Sequence, residues 1–307
     1  MRWLNLVAAA AYAAVLSACA SISSGASRAG PSPEAARAVK LFHGVDGAAA
    51  SWGELVEAAC DADVVFVAEN HGHPLGLASA AALFADVLAA APRAALSMEF
   101  LERDEQCHVD DYLGGVTTLE QFERATGRNA GNFPPGHRAM VEAAKRAGRP
   151  VHAANAPRRY VSLARKEGFE RLRGLTPEQR RHVRVPDALI GGRYREEFDR
   201  IMTPSGDAAP EEEELRARLD AVYRSQSVWD WTMAEVVAQA LLSAQRPVVH
   251  VVGNFHVNHR GGTVQALERQ LPGVRVLVVS FVAAWAEALD PPHRERGDFV
   301  VYVGPSE

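Results

Sequence analysis

The chain has 307 residues, 48% hydrophobic and 23% charged, which fits a folded chain with one large domain and excludes a disordered polymer. Its formal net charge of -5 leaves no basic stripe to neutralise phosphates, so a general nucleic-acid binder is excluded. Beyond residue 20, no apolar run is long enough to cross a bilayer.

The amino terminus reads as an export signal. Arg2 supplies a short positive region, Leu6 to Val15 is apolar and rich in Ala, and Leu16-Ser17-Ala18-Cys19 matches a bacterial lipobox. A small residue before the cysteine suits the signal peptidase, and the Cys19 thiol is the acyl acceptor. The expected organisation is therefore a signal peptide over 1–18, a tether over 19–38 and a folded domain over 39–307. Ala20, standing where an Asp would direct retention at the inner membrane, points to a lipid-anchored protein of the outer membrane, facing the periplasm or the surface. That is an address read by a receptor, not a consequence of membrane physics. Two cysteines then remain, Cys60 and Cys107, and their pairing is open because sequence does not give their separation.

Ser51-Trp52-Gly53-Glu54 has the pattern of a capping box and opens a helix to about Cys60. The run Val64-Val65-Phe66-Val67-Ala68 reads as a buried strand, and it ends in Glu69-Asn70-His71. Pro74 to Ala91 is a helix that Pro92 stops, and Ala94 to Met98 is a second strand running into Glu99. Short helices follow over 104–113, 118–126 and 136–147, then a strand from Val151 ending in Asn155-Ala156-Pro157-Arg158. From about 158 to 245 the pattern is a long helical insertion, broken at Gly174, at Gly191-Gly192 and from Pro204 to Pro210. Val248 to Val252 is a third strand running into Gly253-Asn254-Phe255-His256. A helix from Thr263 to Leu271 and strands at 274–281 and 299–303 complete the chain. The fold class is α/β, a mostly parallel central sheet flanked by helices, with the helical insertion before the His256 strand.

In such sheets ligands sit in the crevice at the carboxyl ends of the strands. Glu69, His71, Glu99 and His256 come from three such ends and should converge if those strands are neighbours. Two acids and two imidazoles suit general acid and base catalysis, and His71, Glu99 and His256 together suit a divalent metal. Gln226 and Asp230, spaced i, i+4, lie on an inward-looking helix face, where a buried Asp needs a partner such as a crevice His or Arg158. Asn155 and Arg158 would flank the same crevice, the guanidinium suiting a carboxylate-bearing ligand. His73 and His259 are either supporting partners or surface groups, and Trp229 and Trp231 read as packing. Nucleotide-binding, serine-hydrolase and thioredoxin motifs do not occur.

These residues resemble the ChaN-type haem-binding lipoproteins, related to the wider erythromycin-esterase and Tiki group. Ala68-Glu69-Asn70-His71 is similar to that family's G-E-x-H, with Ala in place of Gly, and Met98-Glu99-Phe100 to its E-M/F segment. Ala154-Asn155-Ala156-Pro157-Arg158 matches its A-N-x-P-R turn, and Gln226, Asp230, Met233 and Ala234 its Q-x-x-x-D-x-x-M-A helix. Gly253-Asn254-Phe255-His256 matches G-N-x-H, whereas Gly261-Gly262-Thr263 departs from the G-V-P that follows. The resemblance runs from about Val39 to the C-terminus. It implies an outer-membrane haem or iron uptake protein, and a homodimer holding haem between protomers through a Tyr. Tyr112, Tyr160, Tyr194, Tyr223 and Tyr302 are the candidates; Tyr194 is preferred, since Arg193 and Arg195 beside it suit haem propionates. Two readings therefore stand: a haem carrier, or a hydrolase in which Glu69 and His71 activate water, with or without a divalent metal.

Overall fold

The computed structural model describes residues 30–204 and 211–306. The expected signal peptide, the lipobox with Cys19, and residues 205–210 of the expected break lie outside the described residues.

The sheet has eight strands: β1 Lys40–His43, β2 Ala49–Ala50, β3 Val64–Glu69, β4 Ala95–Glu102, β5 Val151–Asn155, β6 Val248–Gly253, β7 Val276–Val282 and β8 Phe299–Tyr302. Their order across the sheet is β2-β1-β8-β7-β3-β6-β4-β5. The strands from β8 to β5 are all parallel, and at one edge β1 runs antiparallel to both of its neighbours, β8 and β2. Every residue of β3 and β6 is buried, which explains why both read as largely apolar runs; the one polar side chain inside β6, His250, is paired with the Ser97 hydroxyl at 2.8 Å.

Side chains along a strand point alternately to opposite faces, and β3 divides its apolar residues accordingly. Val65 and Val67 enter one core with Leu55, Leu83, Phe84 and Val87, from helices Trp52–Asp61 and Pro74–Ala90. Val64, Phe66 and Ala68 enter the other with Tyr223, Trp231, Val237 and Leu241 of the helix Glu212–Leu242. The long helix of the expected insertion is therefore the second covering layer of the sheet, joined there by the helix Gly262–Gln270. Among the described residues no strand interrupts the stretch from 158 to 245, as expected.

Two expectations change at the amino-terminal side. Residues 33–37, placed in the tether, form a helix capped by Ser32 and docked through Arg37, whose guanidinium donates to Asp86 at 2.7 and 2.8 Å. Strands β1 and β2 were not expected, because Leu41 and Phe42 are too few to show a period; β1 forms by pairing with β8, and β2 by pairing with β1. Cys60 and Cys107 are both free thiols.

Candidate functional site

Strands β3, β6 and β4 are consecutive in the sheet and parallel, so their carboxyl ends share one rim. Glu69 lies opposite Gly253 in register, while Met98, the residue before Glu99, lies opposite Val251. Past Met98 the pairing of β4 with β5 shifts register before Glu102. Such irregularities bend a strand and re-aim its side chains, here at the level of Glu99.

Glu69 is 1% exposed, and both of its oxygens are met by imidazoles: Oε2 lies 2.6 Å from His137 Nε2 and Oε1 lies 3.2 Å from His71 Nδ1. Burial acts to raise its pKa, but the two histidines outweigh it and hold the carboxyl below its ordinary value. Burial likewise opposes the charged His71, yet the bond to Glu69 and the charge of Glu99 push its pKa up to about 9. Phe100 lies against both rings, with centroids 4.0 Å from His137 and 5.4 Å from His71.

His137 did not stand out in the sequence. It lies on helix Pro135–Arg146, whose buried face is His137, Met140, Val141 and Ala144. An ionisable residue at i with apolar residues at i+3, i+4 and i+7 was the available signal.

A second constellation centres on Asp230, which is fully buried. Its Oδ1 lies 2.7 Å from His256 Nδ1 and accepts from the Thr263 hydroxyl at 2.7 Å. Its Oδ2 accepts from the Tyr194 phenol at 2.7 Å, and that phenol accepts from the Gln226 amide at 2.8 Å. His256 Nε2 faces Glu99 Oε1 at 3.6 Å, and Glu99 Oε2 accepts from the Gly253 amide at 2.6 Å. Burial disfavours charge on His256, but Glu99 and Asp230 outweigh it and raise its pKa. Glu99 thus acts electrostatically on both His71 and His256, and links the two constellations.

Two glycines are required by close approach. A Cβ on Gly253 would sit 2.9 Å from His71, and one on Gly262 would sit 2.2 Å from Asp230 Oδ2.

Other expected residues lie elsewhere. Asn155 turns its Oδ1 back to the Ala156 amide at 2.9 Å, and Arg158, 75% exposed, faces Glu102 at 3.6 Å. Both sit at the end of β5, the edge strand, so β4 separates them from His256 and neither bonds to Asp230. His73 is buried and caps helix Pro74–Ala90, with Nδ1 accepting from Gly76 and Nε2 donating to the Gly304 carbonyl. Trp231 is buried in the core and Trp229 packs against it.

Among the described residues, no group of three or more His, Cys, Asp or Glu side chains is placed to hold a metal ion. The expected set of His71, Glu99 and His256 is not among such groups, and one nitrogen or oxygen of each already has a protein partner. His71 Nδ1 turns to Glu69, His256 Nδ1 to Asp230, and Glu99 Oε2 to a backbone amide.

Tyr194 as an iron ligand also needs correction. Its ring is 6% exposed and its hydroxyl bridges Asp230 and Gln226, so burial first, then the Asp230 charge, raises its pKa well above the ordinary value. Tyr112, Tyr160, Tyr223 and Tyr302 are buried as well. Arg195 is drawn away to Asp199 and Asp220. Arg193 fares differently: with Tyr194, Arg200, Phe255, His259 and Arg296 it lines an open cavity of about 280 Å³. Glu197 also lines this cavity and pairs with Arg200 at 2.7 Å; the aromatic faces, the guanidiniums of Arg193 and Arg296 and an imidazole there fit the edge of a porphyrin and its carboxylates. His259 has a left-handed backbone, φ 55°, and its Nε2 lies 3.0 Å from Arg193.

The chain resembles several solved structures in fold. The structure described as cofacial heme binding to ChaN of Campylobacter jejuni matches with a TM-score of 0.65 at 16% identity, over 86% of this chain and 96% of that one. The type III effector HopBA1 matches at a TM-score of 0.45 and 15% identity, over 89% and 99% of the two chains. A mutant of the erythromycin esterase EreC in its open conformation matches at 0.45 and 12%, over 83% and 79%. No curated protein matches at a significant level. The family described as haem-binding uptake, Tiki superfamily, ChaN matches residues 55–267, which span both constellations and four of the eight strands. By that match, over more than half its length, the chain belongs to the ChaN family of the Tiki superfamily.

Proposed function

We propose that this protein binds haem as a carrier in haem or iron uptake, anchored to the outer membrane by a lipid on Cys19. The observation that carries the reading is membership of a haem-binding uptake family, joined to the cavity beside Tyr194. Haem supplies an iron that takes a ligand at its axial position, and two propionates that need counter-charges. His259 offers the ligand once Arg193, which donates to its Nε2 at 3.0 Å, turns to a propionate; burial, then the charges of Arg193 and Arg296, lower the pKa of the imidazole and favour its neutral form. Arg193 and Arg296 offer the counter-charges, whereas Arg200 is held by Glu197 at 2.7 Å. At about 280 Å³ the cavity is below the ~300–1,000 Å³ of sites that enclose small ligands, so the ring protrudes and a second protomer covers it.

Hemin titration followed by the Soret band tests this. A saturable shift in the wild-type protein, lost in His259→Ala and accompanied by haem-dependent dimerisation, is expected. No shift with micromolar hemin would end the proposal. The anchor is tested separately, by labelling with a palmitate analogue and release of Cys19→Ser from the membrane fraction.

A second reading rests on the strand-end cluster. Gathering Glu69, Glu99, Asp230 and three imidazoles in one rim is costly without a use. His71, its side chain 49% exposed, stands between this cluster and solvent. General acid and base hydrolysis by Glu69 and His71, with Glu99 and His256 in support, is the chemistry this arrangement favours. Turnover of a panel of esters and peptides, abolished in His71→Ala, would establish it; no turnover across the panel would remove it.

A further inference from the structure

A second cavity, of about 550 Å³, lies within the helical stretch and shares no lining residue with the one beside Tyr194. Its wall carries Arg173, Arg180, Arg181 and Arg184, against only Asp187 and Glu235. Both acids are already engaged. Asp187 accepts from Arg184 at 2.6 Å, and Glu235 is held at 2.5 Å by Arg103, which lies outside the cavity. Arg180 and Arg181, in contrast, have no carboxylate partner among the described residues. Arg184 adds an Nε that is buried with no hydrogen-bond partner, although its other nitrogens face acids.

We propose that this cavity is a binding site for a phosphate monoester or diphosphate group. The volume falls within the range of small-molecule sites. A guanidinium fork matches phosphate geometry through paired N–H donors, and a multiply charged group answers at once the two arginines that lack a carboxylate, of which Arg181 donates only to His182. The same chemistry is carried by a soluble phosphorylated metabolite and by the headgroup of an anionic lipid.

The test uses the mature protein, with inorganic pyrophosphate as the probe, read by calorimetry and by thermal shift. Binding is expected at micromolar to millimolar pyrophosphate, weakened at least about tenfold in Arg180→Gln/Arg181→Gln. Both substituted side chains are exposed, and circular dichroism checks that the fold is kept. Co-sedimentation with phosphatidic acid vesicles but not with phosphatidylcholine vesicles, lost in the same variant, assigns the site to a lipid headgroup. Pyrophosphate binding without co-sedimentation assigns it to a soluble ester. No heat and no thermal shift with pyrophosphate, equal affinity in the variant, or equal binding of sulfate would each overturn the proposal.

Discussion

His256 and Asp230 share a 2.7 Å contact between Nδ1 and Oδ1, with the carboxylate wholly buried. The helix Glu212–Leu242 and the turn after β6 are locked together at this point, because Asp230 also takes hydrogen bonds from Tyr194 and Thr263. Removing the carboxylate strands all three partners. Asp230→Ala should cost about 3–5 kcal/mol, as when one member of a buried pair is deleted. Thr263→Val, which removes one donor of three, should cost about 1–3 kcal/mol. Urea unfolding measures both, and a loss below about 1 kcal/mol for Asp230→Ala would contradict the central role assigned to this carboxylate.

The close approach at Gly262 gives a second prediction. A methyl there meets Asp230 Oδ2 at 2.2 Å, so Gly262→Ala must displace the carboxylate or the backbone. The expected cost is on the order of 1–3 kcal/mol. Gly191, which has open space around its Cβ position, is the control, and Gly191→Ala should stay within about 0.5 kcal/mol of wild type. Equal stabilities for the two variants would show that the Asp230 side chain is not confined.

His71 sets a pH dependence. Its folded pKa of about 9 lies above the ordinary value of 6.5, so the folded state holds the proton more tightly than the unfolded chain. The stabilisation is therefore complete below pH ~6.5 and fades as pH rises towards about 9. The reverse trend, a gain in stability over that window, would count against the His71–Glu69 ion pair. Proton NMR of the imidazole and unfolding midpoints in His71→Gln, where this slope should shrink to the part that His256 contributes, measure the effect.

Tyr194 separates a structural phenol from an iron ligand. Tyr194→Phe removes the donor to Asp230 Oδ2 and should lower stability by about 1–3 kcal/mol. Hemin binding should survive, since the ring lines the cavity while the hydroxyl faces away from it. Loss of the Soret shift in this variant, with the fold intact, would restore the phenolate as the ligand.

The strand-end chemistry was legible because an apolar run that stops at Glu69, or at Gly253 before His256, announces both burial and its limit. The helix carrying Asp230 was legible in the same way, as a polar residue on an inward face. Arg158 misled because its motif gives a guanidinium at a strand end without saying which strand is at the edge. His137 was missed because a single histidine among Met140, Val141 and Ala144 carries its meaning only through Glu69, a partner in another element.

What this chain determines by itself is local: where strands and helices begin, which faces turn inward, and which ionisable groups end a buried run. These follow from periods of two and 3.6 residues and from the cost of burying charge. The three-dimensional packing alone decided that β3, β6 and β4 stand side by side, that Tyr194 turns its hydroxyl onto Asp230, and that His71 and His256 each turn one ring nitrogen to a carboxylate. The reason is that strand order and side-chain pairing depend on how helices far apart in the chain cover the two faces of the sheet, and no short stretch of residues encodes that arrangement.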